Sequence, residues 1–183
     1  MGAVNTWTLL VQNMIPAVTK VMAGIHNGSA ARNIRIRRVG IINAQIAFVT
    51  TVVCLLDVRR YYNAVAWGGG PTAVTPIAHD TNNSALNTVT AGYGGAAVGG
   101  SGPDIFRRTI WPTKEGNRGA TGAASEDDWC TMIPLGLMFD PGYADANEQP
   151  LLLKNGELMF VYNTPNVSTG LMDIWIEFTD EAV

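Results

Sequence analysis

Residues 171–180 read LMDIWIEFTD, and the pattern of this stretch decides the fold that the sequence predicts. Apolar and polar side chains alternate along it, with Asp173, Glu177 and Thr179 sharing one parity. A period of two places every second side chain on the same face of a β-strand. The residues of the other parity are all apolar, and we expect them to face a core; they are Met172, Ile174, Ile176 and Phe178.

Most of the remaining chain also has the composition of strands, because stretches rich in Ile, Val, Thr, Phe and Tyr are bounded by Gly, Pro and Asn. The predicted strands are 32–43, 46–63, 72–80, 87–93, 104–112, 130–140, 150–164 and 171–180. The short connector at 43–45 predicts that the first two are antiparallel neighbours. Within 150–164, Asn155-Gly156 between apolar runs predicts a hairpin, since both residues tolerate positive φ.

About eight strands with Gly- and Pro-rich connections predict an all-β fold, an antiparallel sandwich or barrel. The sequence has neither an internal repeat nor a second core, so residues 24–183 are expected to form one domain. Residues 1–23 are apolar but interrupted by Pro16, which predicts an extended N-terminal arm or strand and then a turn or two of helix. The glycine-rich segment 92–104 is expected to be flexible, and the polar segment 114–128 to be functional or ordered by a partner.

Charge is scarce and unevenly distributed. Charged residues make up 15% of the chain, against about 25% in an average domain, which indicates a surface partly covered by other protein. Residues 1–110 carry a net charge of +6 and residues 111–183 a net charge of −9, which together give the −3 of the whole chain. Two explanations are open: basic strands pair with acidic strands inside one sheet, which we favour, or a basic face of one subunit meets an acidic face of its neighbour.

The stretch IRIRRVGII (34–42) loses its alternation near Arg38. This loss predicts a β-bulge, or a change to a strand that is buried on both faces. Arg35 and Arg37 are expected to point outward, whereas Arg38 is the residue that most needs a partner.

Arginine doublets at 37–38, 59–60 and 107–108 raise the possibility of nucleic-acid binding, since aromatic residues lie beside two of them. The chain is acidic, however, with a pI near 5.3, and it holds only three lysines. Nucleic-acid-binding domains usually carry a basic footprint. Arginine without lysine is typical of fixed contacts in protein interfaces, so we expect no direct nucleic-acid binding.

No catalytic motif is present in the sequence. His26 and His79 lack metal ligands at the usual spacing, no serine occupies a nucleophile turn, and the glycine-rich stretches lack the residues of phosphate loops. We therefore expect neither an enzyme nor a bound cofactor or metal. Cys54 and Cys130 are expected to be free thiols, and no apolar run reaches the ~20 residues of a membrane-spanning helix.

The order of several stretches resembles a group of tailed-phage virion proteins. These stretches are IHNGSAARNIRIRRVGIIN (25–43), LLDVRRYYN (55–63), GGGPTAVTPIAHD (68–80), FRRTIWP (106–112), MFDPGYADANEQPLLLKNGELMFVYN (138–163) and DIWIEFTDE (173–181). The strand, turn and closing strand QPLLLKNGELMFVYN…WIEF are similar to jelly-roll decoration or cement proteins of phage heads. The resemblance covers about residues 24–181.

The resemblance implies an antiparallel jelly-roll-like sandwich and a non-enzymatic role on the capsid surface, in a protein synthesised in the host cytoplasm. Its expected partners are further copies of itself, in a homotrimer, and the major capsid protein, whose subunits it would bridge. The N-terminal arm is the segment expected to reach a neighbour. The residues expected to contact other subunits or the capsid are Trp7, Leu9, Leu10, Met14, Arg35, Arg37, Arg38, Arg59, Arg60, Arg107 and Arg108.

The alternative function is that of a tail or fibre protein that binds host-surface carbohydrate. It depends on aromatic residues beside glycine loops, namely Trp67, Tyr93 and Trp129. We prefer to interpret these aromatics as anchors for loops or as interface residues. A polysaccharide-degrading enzyme is disfavoured because no pair of carboxylic acids stands out.

Overall fold

The computed structural model describes residues 5–15, 21–44, 53–62, 66–83, 85–86, 89–98, 104–112, 136–139, 151–164 and 171–183. Within these residues the chain forms strands and no helix. The strands are β1 (Asn5–Met14), β2 (Val21–Asn27), β3 (Arg32–Asn43), β4 (Val53–Tyr61), β5 (Ala66–Gly68), β6 (Thr72–Ala73), β7 (Ile77–Ala78), β8 (Val89–Tyr93), β9 (Ala96–Val98), β10 (Asp104–Pro112), β11 (Gly136–Phe139), β12 (Leu151–Leu153), β13 (Glu157–Thr164) and β14 (Met172–Ala182).

Two antiparallel sheets pack face to face, which confirms the predicted all-β sandwich. Sheet 1 has the order β11-β3-β14-β1-β7, with β12 also paired to β3. Sheet 2 has the order β10-β4-β13-β2-β8-β6, and β5 pairs with β9 in a separate two-stranded ribbon. Apolar side chains from the inner faces of both sheets form one main core, as expected for sheets that each bury one face.

Eight of the strands pair in a nested order, from the two ends of the sequence inward. β1 pairs with β14, β2 with β13, β3 with β12, and β4 with β10. The stretch 171–180 therefore lies in the middle of sheet 1, between β1 and β3. Its four predicted core residues are fully buried, which confirms the alternation seen in the sequence; they are Met172, Ile174, Ile176 and Phe178.

The sequence predicts a turn or two of helix before residue 28. Within the described residues this prediction is wrong, because residues 21–27 form β2. Every residue of β2 except His26 is buried. One face of the strand meets the main core, and the other is covered by aromatic residues. A strand buried on both faces loses its period of two, so its apolar run cannot be distinguished from a buried helix by pattern alone.

The described part of the predicted N-terminal arm is a strand of the sandwich. Residues 5–14 form β1, which is hydrogen-bonded to β14 on one side and to β7 on the other. Trp7, Leu9 and Val11 are buried in the main core. An apolar segment near a chain end resembles an arm in the sequence, because the strands that cover it lie far away along the chain.

Two further predictions about neighbouring strands are wrong. β3 and β4 lie in different sheets, and so do β12 and β13. Asn155-Gly156 does form a turn, with Gly156 at φ 77° and with the N–H of Glu157 donating to the carbonyl of Lys154 at 3.0 Å. This turn takes the chain from sheet 1 to sheet 2 instead of closing a hairpin, a choice that turn chemistry does not determine.

The glycine-rich segment 92–104 is partly regular, since residues 96–98 form β9. Gly94 and Gly95 both have positive φ and form the turn that leads from β8 into β9. The predictions for 114–128, Cys130 and Trp129 fall outside the described residues, and so does the side chain of Cys54.

The predicted bulge near Arg38 is confirmed. Arg38 is opposite Glu177 and Ile36 is opposite Phe178, so Arg37 is an extra residue of β3. The bulge reverses the parity of the strand. Ile34 and Ile36 are buried before it, and the buried residues after it are Val39 and Ile41.

Asn27 joins two of the connections that cross between the sheets, and it is 0% exposed. Its side-chain N–H groups donate to the carbonyls of Arg32 at 2.8 Å and Leu153 at 3.0 Å. Its side-chain oxygen accepts the N–H of Ser29 at 2.9 Å, and its own carbonyl accepts the N–H of Gly156 at 2.7 Å. One residue therefore fixes the β2–β3 and β12–β13 connections relative to each other.

Replacing Asn27 by Ala is expected to lower the free energy of unfolding by about 2–4 kcal/mol in urea denaturation. The substitution leaves the carbonyl of Leu153 without its partner in a buried hydrogen bond, which costs about 1–3 kcal/mol. The carbonyl of Arg32 and the N–H of Ser29 lose part-buried hydrogen bonds, and each adds less because water can partly replace the partner. The control is Asn82→Ala, at an exposed position, which we expect to change the stability by no more than about 0.5 kcal/mol. Equal effects of the two substitutions would contradict the role assigned to Asn27.

Candidate interaction surface

Each sheet of the sandwich has an outer face, and the two faces differ. The outer face of sheet 1 combines cross-strand ion pairs with a few apolar side chains. The outer face of sheet 2 holds a second apolar cluster of Val21, Trp67, Leu158 and Phe160, with Tyr61 and Tyr162 packed against it.

Ion pairs connect β3 to β14 across sheet 1. Arg32 is 2.7 Å from the carboxylate of Asp180, and this hydrogen bond raises the pKa of its guanidinium. Arg35 forms two parallel hydrogen bonds with Glu181, at 3.0 and 2.9 Å.

Arg38 lies 3.9 Å from Glu177, which is its direct neighbour in the sheet. Arg37, the extra residue of the bulge, is half-buried. The basic strand β3 therefore pairs with the acidic strand β14 inside one sheet. For this part of the chain, this agrees with the explanation of the uneven charge that we favour from the sequence.

Apolar residues lie beside these ion pairs on the outer face of sheet 1. Trp175 is opposite Gly40 on β3 and Leu10 on β1. Its ring covers Gly40 so closely that a Cβ at this position would overlap the indole. Ile42, two positions further along β3, is 44% exposed. Leu10, Trp175 and Ile42 form a strip that we call the outer apolar strip.

The four N-terminal residues expected to contact a partner have different positions. Trp7 and Leu9 point into the core, so the folded subunit already covers them. Met14 packs against the edge of that core. Leu10 has the opposite parity and lies on the outer face, which makes it the contact candidate among the four.

The arginine doublet of β4 is divided between the two faces of sheet 2. Arg59 lies on the outer face, 2.6 Å from the fully buried carboxylate of Asp57 and 4.3 Å from the ring centre of Tyr162. Arg60 has the other parity and binds Asp104 at 3.0 Å. The doublet of β10, Arg107 and Arg108, pairs with β4 through its backbone, whereas its side chains lie outside the described part of the chain.

Trp67 connects the small ribbon to sheet 2. Its ring lies 5.2 Å from that of Phe160, and its indole N–H donates to the carbonyl of Gly94 at 2.9 Å. Trp67 is 8% exposed, so the expectation that it is an exposed carbohydrate-binding residue is wrong and the loop-anchoring interpretation is confirmed. Tyr93 is half-buried at the end of β8.

Sequence reasoning missed two members of the outer apolar strip, Ile42 and Trp175. The signal was present, because Trp175 has the same parity as Asp173 and Glu177 in the stretch 171–180. A large aromatic residue on the polar parity of a strand indicates a face that something covers. In this case its ring covers Gly40, and it remains partly exposed.

The described residues hold no group of three or more His, Cys, Asp and Glu side chains placed to bind a metal ion. None of them belongs to a helix that is long and apolar enough to cross a membrane. Comparisons of the chain with protein-family models, curated proteins and solved structures find no match.

Replacing Gly40 by Ala is expected to lower the free energy of unfolding by about 1–3 kcal/mol, because the new methyl group overlaps the Trp175 ring and forces it to move. Chemical denaturation measures this loss. In a Trp175→Ala background the overlap is gone, so Gly40→Ala should cost much less there. An equal cost in both backgrounds would show that the ring does not restrict residue 40.

His26 gives the sandwich a dependence on pH. Burial lowers its pKa from 6.5, and its Nε2 atom is buried without a hydrogen-bond partner in the part of the chain that the structure describes. The folded state therefore favours neutral histidine. Its contribution to stability is fully present above pH 6.5, and it is lost as the pH falls from 6.5 through the lowered pKa.

We expect the unfolding free energy of the wild type to decrease between pH 7 and pH 5, with His26 contributing up to about 1.4 kcal/mol per pH unit between its two pKa values. Urea denaturation across this range measures the decrease. His26→Gln should reduce the slope, whereas His79→Gln, at the exposed histidine, serves as the matched control. An unchanged slope in His26→Gln would contradict the assignment.

Proposed function

We propose that this chain is a non-enzymatic structural protein of a tailed-phage virion, a decoration or cement protein that bridges major capsid subunits. The observation that carries the proposal is the nested pairing of eight strands, β1 with β14, β2 with β13, β3 with β12 and β4 with β10. We propose that these pairs belong to one antiparallel ribbon folded over on itself as in a jelly roll, and the nested order supports this part of the proposal. Jelly rolls are frequent among viral capsid proteins, and the resemblance in sequence points to the same class.

The outer face of sheet 1 supports a role in protein contacts. Two of its arginines, Arg35 and Arg38, are already paired with carboxylates of the same sheet, at Glu181 and Glu177. A partner can therefore cover these two ion pairs without separating their charges, and the outer apolar strip supplies surface for burial. A nucleic-acid phosphate would have to displace these carboxylates, which disfavours nucleic acid as the partner.

The N-terminal segment, predicted to be an arm or a strand, is a strand of the sandwich over residues 5–14. β1 is paired on both sides and contributes buried residues to the core. We propose that contact with a trimer neighbour or with the capsid involves the outer apolar strip in place of a free arm. The carbohydrate-binding alternative rests on Trp67, Tyr93 and Trp129. Trp67 is buried, Tyr93 is half-buried, and Trp129 lies outside the described residues, so we keep the structural role as the proposal.

The proposed mechanism is burial of surface at the junctions between capsid subunits. A protein that binds the assembled state and not the separated subunits stabilises the assembly by mass action. Its effect should increase with its concentration until all sites are filled, and it requires no catalytic group.

The first test is the presence of the chain in purified virions, measured by mass spectrometry of particles. We expect a fixed number of copies per capsid, and we expect that adding the purified protein to particles that lack it raises the temperature at which they release DNA. Absence of the chain from virions would overturn the proposal.

A second test replaces Ile42 by Glu, which places a charge in the outer apolar strip. Ile42 is exposed, so the fold should remain, while binding to particles should weaken by at least about tenfold, as at an interface hot spot. Ile105→Glu is the matched control, because Ile105 has a similar exposure of 47% but lies at the edge of sheet 2. Equal binding of both variants would exclude the strip as the contact.

A further inference from the structure

The chain contains the pair Asn-Gly at two positions, 27–28 and 155–156. In such a pair the main-chain nitrogen of the glycine can attack the side-chain amide carbon of the asparagine, because glycine has no Cβ to hinder the approach. The product is a succinimide, and no enzyme is needed to form it. In the structure the two pairs lie at the same end of the sandwich and are joined by a hydrogen bond from Gly156 to Asn27.

The reaction at Asn155 balances without an oxidant or a reductant. The nitrogen of Gly156 forms a bond to Cγ of Asn155, and the bond from Cγ to Nδ2 breaks. Nδ2 takes up the proton that the Gly156 nitrogen gives up and leaves as ammonia. Water then opens the succinimide at either of its carbonyls, which leaves aspartate or isoaspartate at position 155. Isoaspartate also lengthens the main chain by one carbon atom.

The turn at Asn155 exposes the amide but occupies the nitrogen that would attack it. Asn155 is exposed, whereas the N–H of Gly156 donates to the carbonyl of Asn27 at 2.7 Å. The turn is closed by the N–H of Glu157, which donates to the carbonyl of Lys154 at 3.0 Å. The Glu157 carboxylate in return accepts the N–H of Lys154 at 2.8 Å. Because the attacking nitrogen must lose its proton and turn toward Asn155, Gly156 has to leave Asn27 first.

Asn27 is held more firmly than Asn155. It is 0% exposed, and its side-chain amide is hydrogen-bonded to main-chain groups of Arg32, Leu153 and Ser29. Its Cγ cannot turn toward the nitrogen of Gly28 while these bonds persist. An added main-chain atom at position 155 displaces Gly156 and so removes the bond that connects the 154–156 turn to Asn27.

We propose that Asn155 is a site of self-catalysed deamidation that reacts only when Gly156 leaves Asn27, and that this reaction then releases Asn27 to deamidate in turn. The two steps are irreversible, and together they disconnect the two crossings between the sheets. The proposal is independent of the virion role, because it concerns the covalent chemistry of the chain itself.

Peptide mapping by mass spectrometry measures the change from amide to acid at each asparagine. The full-length folded protein is incubated in mildly alkaline buffer beside synthetic peptides of residues 153–158 and 25–30, in which the same Asn-Gly pairs are unstructured. Asn155 should react at least about tenfold more slowly in the protein than in its peptide, since only the locally opened fraction reacts. Asn27 should react later than Asn155, after a lag.

A substitution outside the reacting pair tests the role of the turn. Glu157→Ala removes the acceptor of the Lys154 N–H and keeps Asn155-Gly156, so it should speed the reaction at Asn155 by about two- to tenfold, as expected for one hydrogen bond. A peptide with the same substitution corrects for any direct effect of residue 157. Asp173→Ala is the matched control, because Asp173 also accepts an exposed main-chain N–H, that of Asn13 at 2.8 Å, and it should leave the rate at Asn155 unchanged.

A second substitution tests the order of the two steps. Asn155→Gln keeps an amide in the turn, but glutamine would have to close a larger ring and reacts far more slowly. In this variant Asn27 should remain unmodified over the period in which it reacts in the wild type. Circular dichroism establishes that each variant is folded, and if Glu157→Ala does not fold, the wild type, its peptides and Asn155→Gln still decide the question.

Three results would overturn the proposal. They are equal rates at Asn155 in the folded protein and in its peptide, a reaction at Asn155 no faster than that at Asn27, and an undiminished reaction at Asn27 in Asn155→Gln.

Discussion

The buried side chain of Asn27 is the constraint on which the two-sheet arrangement depends. Two connections, at 28–31 and 154–156, cross between the sheets at the same end of the sandwich, and both bind Asn27. A side-chain amide has donors and an acceptor, so one fully buried residue can satisfy backbone groups of both connections. These hydrogen bonds fix the positions of β2, β3, β12 and β13 relative to one another. The core between the four strands is therefore held in one packing arrangement.

Patterns confined to one strand were predictable from the sequence, whereas pairings between strands were not. The alternation of 171–180 and its interruption at Arg38 report local burial, and the structure has both features. The turn at Asn155-Gly156 was also predictable, but not the sheet that the chain enters after it. That choice depends on β2 and β3, which are more than a hundred residues distant along the chain.

The candidate interaction surface was predictable only in part, because strand parity can be read from one stretch of sequence whereas strand pairing cannot. The positions of Arg35 and Leu10 follow from strand parity, and both lie on the outer face of sheet 1. The partners of the arginines required knowledge that β3 lies beside β14. The sequence left open whether this segment is an arm or a strand, because the partners of β1, β14 and β7, cannot be identified from its own residues.

The nested pairing has a consequence for the order in which the sandwich can form. β14 is synthesised after every other described strand, and yet it lies between β1 and β3 in sheet 1. Until β14 has left the ribosome, these two strands cannot be joined, and their apolar faces have no permanent cover. Contacts between residues so distant in sequence also slow folding. A chain of this topology therefore completes its core late, and a chaperone that covers β1 during synthesis would protect it from aggregation.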